Sequence, residues 1–93
     1  MASEAKYQHI ARMKTIVLDV LKPHLPHLPE FATFMGKLDG VNRVDISLVE
    51  IDEKTESLKV VLNGSDINFD ALKKAMEKQG AVIHSVDQVI VEK

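Results

Sequence analysis

Six side chains in this sequence have the types and the neighbourhood to do chemistry together: His24, His84, Asn63, Asp19, Asp87 and Lys59. Imidazole nitrogens with a carboxylate can hold a divalent transition metal, and an Asp–His pair can move a proton. Two carboxylates brought face to face instead suit a hard cation such as calcium or magnesium, although calcium wants about six oxygen ligands. His24, His84 and Asn63 are therefore the candidate ligand-binding residues, and Asp19 and Asp87 the candidate metal-binding pair. No residue earns a catalytic assignment. Plainer readings fit the same residues: histidines that hydrogen-bond surface loops, Asp19 paired with Lys59, and a solvated Asp87. Loose histidine spacing of this kind is weak as a motif.

Composition narrows the field by exclusion. Ninety-three residues make one small domain. A net charge of −2 offers no electrostatic footprint for nucleic acid or an anionic membrane. The sequence has no cysteine, so it has no disulfide framework, thiolate zinc site or thiol nucleophile. That suits a reducing cytoplasm, as does the polar first stretch, which lacks a signal-peptide core. No run approaches the roughly 18 apolar residues of a membrane span. Arg12 and Arg43 are the only arginines, and the loop after the first strand is rich in proline rather than glycine. Both features argue against a cradle for phosphate.

These residues need elements to position them. Residues 1–12 read as a loosely held arm, with the folded domain running from Met13 to Lys93. Lys14–Leu21 is a β-branched run ended by Lys22-Pro23, with Ile16, Leu18 and Val20 on its buried face and Asp19 on the other. The three prolines of Pro23–Pro29 forbid a continuing strand. A helix over about His27–Leu38 follows, with Phe31, Phe34, Met35 and Leu38 as its stripe and Gly40 as its cap. Val44, Ile46 and Leu48 alternate as a second strand. Asp52–Glu56 makes a charged turn, and Leu58, Val60 and Leu62 make a third strand. The second helix has the clearest boundaries: Asn68 as N-cap, Ile67 and Leu72 as a staple, and Gly80 as its stop. Val82–Val91 is the last strand, with its parity ambiguous.

Strand–helix–strand–strand–helix–strand is two βα units joined by a hairpin. Right-handed crossovers put both helices on one face of a four-stranded antiparallel sheet, with strands one and three central. This is the ferredoxin-like α+β sandwich, which hosts unrelated activities. The central strands carry no aromatic residue on which a base could stack, against RNA binding. Antiparallel pairing of strands four and one should bring His84 near Leu21 and His24, with the Asn63–Asp66 turn at the same end, and Asp87 opposite Asp19. Like charges so placed would leave one carboxyl protonated or recruit a cation. The open face mixes Val17, Leu21, Val49, Ile51 and Val61 with Asp19, Asp45, Ser47, Lys59 and Asn63. With two open sheet edges beside it, this face predicts a homo-oligomer.

Ile16–His24, then Leu38-Asp39-Gly40-Val41, then Gly80 through Ile83-His84-Ser85-Val86-Asp87, resemble the archaeal proteins grouped as domain of unknown function 211. The resemblance covers about Lys14–Val91 and implies the same ferredoxin-like fold and a homo-oligomer, without an activity. It draws attention again to Asp19, His24, His84 and Asp87. The functional expectation is a small oligomeric binding or regulatory module that takes a divalent metal ion or a small ligand. The alternative is a small enzyme with a His/Asp site at the end of strand one.

Overall fold

The computed structural model describes residues 10–93. The arm expected over residues 1–12 therefore lies mostly outside the described residues, and Arg12 already belongs to the first strand. The elements are β1 (Arg12–Pro23), α1 (Leu28–Gly36), β2 (Val41–Ile51), β3 (Thr55–Gly64), α2 (Phe69–Lys78) and β4 (Val82–Glu92). One antiparallel sheet in the order β2-β3-β1-β4 carries both helices on one face, which is the ferredoxin-like α+β sandwich. Ile16, Leu18 and Val20 of β1 and Leu58, Val60 and Leu62 of β3 lie opposite one another in register and are fully buried. Phe31 and Met35 of α1 and Leu72 and Met76 of α2 close the core from above.

Helix boundaries follow local chemistry. Asn68 accepts the Ala71 backbone N–H at 3.0 Å, while Ile67 and Leu72 are both buried, so cap and staple act together. Gly80, at φ +78°, ends α2 in the left-handed region. The first helix is shorter than its apolar stripe suggests. It stops at Gly36 with Lys37 as C-cap, and Phe34 and Leu38 are only half-buried. Gly40, at φ +85°, serves instead as the entry to β2. Its carbonyl accepts the Ser65 N–H, and a Cβ at Gly64 would collide with that same carbonyl. Glycine at both positions lets the ends of β2 and β3 close.

A helix of ten residues rises about 15 Å, whereas a strand of eleven extends about 36 Å. Two such helices leave the outer strands partly bare. Leu48 of β2 and Val86, Val89 and Val91 of β4 pair with helix-side residues of β3 and β1, yet stay between 44% and 51% exposed. Much of the exposed apolar surface therefore flanks the helices rather than sitting on the open face. Ile51 belongs to this set as well. An extra residue at Val49 shifts the register and sends Ile51 to the helix side opposite Glu56, away from the open face expected from alternation. Val17, also expected on the open face, is there in register but is only 9% exposed.

Replacing Leu18 or Leu72 by alanine should each cost about 2–5 kcal/mol in urea unfolding, since both leave cavities in a closed core. Phe34→Ala should cost less than either, because its ring is half in water. A Phe34→Ala loss equal to that of Leu72→Ala would contradict this ranking.

Candidate functional site

The fold presents two polar sites on opposite sides of the sheet. On the helix side, Lys22 continues the buried run Ile16-Leu18-Val20 and has no exposed surface. Its register partner is Glu56, which continues Leu62-Val60-Leu58 on β3. The ammonium meets Glu56 Oε1 at 2.9 Å and donates to the carbonyls of Pro23, at 2.8 Å, and Pro26. Three acceptors match its three N–H donors, so the buried charge is fully compensated. The second oxygen of Glu56, Oε2, accepts from His24 Nδ1 at 3.1 Å. Lys22, and then His24, hold the Glu56 carboxyl below the usual carboxylate range. Sequence reasoning left Lys22 unassigned and put Glu56 in the hairpin turn; β3 in fact begins at Thr55. The signal was present, because opposite charges ending two core-facing alternations on antiparallel strands fall at partner positions.

On the open face, β4 carries two extra residues relative to β1. Asp19 pairs with Ser85 and Val20 with Ile83, which leaves His84 between them. Leu18 pairs with Val86 and Val17 with Gln88, which leaves Asp87. Bulges bend a strand and re-aim side chains, and here the two extra residues are the two that the sequence had singled out on this strand. His84 Nδ1 lies 3.2 Å from Asp19 Oδ2. A carboxylate can only accept, so Nδ1 carries the proton in this bond, and among the described residues Nε2 makes no hydrogen bond. Asp87 accepts from the Ser85 hydroxyl at 2.7 Å. Asp19, Lys59 and Asp87 share a depression of about 230 Å³, with Val49 beside them.

The sequence-selected residues thus divide. Asp19, His84 and Asp87 come together with Lys59, although Asp19 faces Ser85 rather than Asp87 because of the bulges. His24 does not join His84. It bonds Glu56 on the helix side, while His84 serves Asp19 on the open face, with the sheet between them. Asn63 lies at the opposite end of the sheet from His24, paired with Thr15 and donating to its hydroxyl at 2.8 Å. Antiparallel β3 ends where β1 begins, so the Asn63–Asp66 turn lies beside Met13. Among the described residues, no three histidine or acidic side chains converge as a metal site. A larger groove of about 430 Å³ between the helices, walled by Phe34, Thr33 and Lys37, contains none of these residues.

A family model described as DUF211, Uncharacterized ArCR, matches residues 14–93, from within β1 to the end of the chain. A protein of Methanocaldococcus jannaschii, named uncharacterized protein MJ0319, is 38% identical over 81 residues, which is 87% of this chain and 84% of the relative. The chain belongs to the DUF211 family. The match takes in all six strands and helices, so both polar sites of this DUF211 chain fall within the matched segment.

Glu56 contributes stability above its unfolded titration range, and that contribution is lost as pH falls through its lowered folded value. Removing the carboxylate leaves the Lys22 charge buried with carbonyls alone. Glu56→Ala should therefore cost about 3 kcal/mol, the lower end for a broken buried pair because Glu56 keeps 17% exposure. Asp45→Ala, which removes an exposed contact to Arg43 at 3.6 Å, should cost about 0–1 kcal/mol. Equal losses in denaturant unfolding would refute the ranking.

Proposed function

We propose that this chain is a self-assembling binding module whose ligand site is the open-face depression at Asp19. It takes a divalent cation such as calcium or magnesium, or a small polar ligand. The observation that carries this reading is the convergence of Asp19, Lys59 and Asp87 on one depression beside Val49. A few convergent polar groups are how small sites orient what they hold. Asp19 and Asp87 supply the carboxylate oxygens, and the remaining positions on a hard cation fall to water or a second copy. Its cysteine-free sequence supports a cytoplasmic setting.

Self-assembly rests on the outer strands. Val86, Val89 and Val91 on the flank of β4, and Leu48 and Ile51 on that of β2, extend the chain's own core beyond the helices. A second copy of this chain covers such rows and pairs the bare strand edges at once. The enzymatic alternative draws on the Asp19–His84 hydrogen bond, which leaves Nε2 able to accept a proton. The Ser85 hydroxyl on the same strand is committed to Asp87.

Two measurements test the proposal. Millimolar calcium or magnesium should raise the melting temperature of the wild type, and Asp19→Asn should remove the gain. Identical curves in all four conditions would exclude the cation. In analytical ultracentrifugation, the wild type should sediment as an oligomer at micromolar concentration, and Val89→Lys with Val91→Lys should sediment as a folded monomer. A wild-type monomer would end the assembly reading.

A further inference from the structure

His24 adds side-chain ties among three pieces of chain at the end of the ladder, where Pro23 pairs with Thr55 and Ile51 with Glu56. It stands just past β1 at the head of the proline-rich loop, its Nδ1 lies 3.1 Å from Glu56 Oε2 on β3, and its Nε2 lies 2.9 Å from the Glu53 carbonyl in the β2–β3 turn. Both partners are acceptors. A neutral imidazole has one N–H and can satisfy only one of them, whereas the imidazolium satisfies both. The geometry is therefore that of the protonated ring.

We propose that His24 is a protonation-dependent clasp that fastens the β2–β3 hairpin to the loop after β1. The groups that face the ring are Glu56 from β3 and, from the turn, the carbonyls of Glu53 and Asp52. Lys22 of β1 reaches it only through the shared Glu56 carboxylate. Every direct partner is negative or an acceptor, and the Glu56 hydrogen bond is the largest influence holding the ring's affinity for a proton above the ordinary histidine value. The sign follows. The clasp is closed below that raised value and loses one of its two hydrogen bonds as pH rises through it. Lys22 keeps Glu56 in place on both sides of the transition, so the change is confined to the turn. Within that turn, the Asp52 N–H donates to the Thr55 carbonyl at 2.8 Å, a bond that reports directly on hairpin closure. The clasp does not depend on what the open-face depression binds.

Amide hydrogen exchange across residues 52–55, corrected for the intrinsic pH dependence of exchange, tests the clasp. In the wild type, protection should fall several-fold between about pH 5 and about pH 8.5. The midpoint should coincide with that of the His24 ring followed by NMR. His24→Gln, at a partly exposed position where folding is not at stake, should show the low level of protection at both pH values. Equal wild-type protection at the two pH values would overturn the proposal, and so would a pH response that survives in His24→Gln.

Discussion

A lysine ammonium with no exposed surface is the constraint on which one end of this structure depends. A charge removed from water is tolerated only where acceptors surround it. Lys22 obtains them from three directions: Glu56 on the neighbouring strand and the carbonyls of Pro23 and Pro26 in the loop. The loop is thereby wrapped over the end of β1, and the register of β1 against β3 is committed. A slip of one residue would turn Lys22 to the open face and put Leu21 in its place. The proline-rich segment, which looks in the sequence like a mere strand-breaker, contributes carbonyl groups that prolines still possess after losing their N–H.

This network also explains why the two histidines part company. From Thr15 onward β1 delivers even-numbered side chains to the helices and odd-numbered ones to the open face, so His24 follows Lys22 while Asp19 points the other way. Asp19 and His24 are also five residues apart, about 16 Å along a strand. His84 is brought to Asp19 by the bulge in β4, and from there it cannot reach the Lys22–Glu56 end. A shared histidine site would need one of the strands to change face. The Lys22 network blocks that change on β1.

How much could be read from the sequence differs sharply between strands. β1, β3 and α2 were legible because their patterns are local: strict alternation, an Asn cap, a glycine stop. β4 was not. Two bulges shift its parity at His84 and again at Asp87, so Ile83, Val86 and Val89 face the helices although their spacing is uneven. A bulge depends on how two strands match over distance, and no short window of one strand contains that information. The same limit hid the reversal of Ile51 after Val49 and misplaced Asp87 opposite Asp19. The residue types at the site were visible, and their meeting points were not.

The bulges carry a cost that bears on the site itself. Each removes a residue from the ladder and leaves its backbone groups to solvent or to another partner. Asp19 has Ser85 opposite it and Lys59 on its other side. The displaced His84 adds an N–H donor to one of its oxygens, Oδ2. Displacing Asp87 brings a second carboxylate to the same hollow, and the Ser85 hydroxyl then bonds it at one oxygen only. Regular pairing onward from Val20 and Ile83 would have set Ser85 and Asp87 opposite the buried Leu18 and Ile16. The irregularity therefore serves both faces: it keeps Val86 and Val89 on the helix side while bringing His84 and Asp87 to the open face beside Asp19.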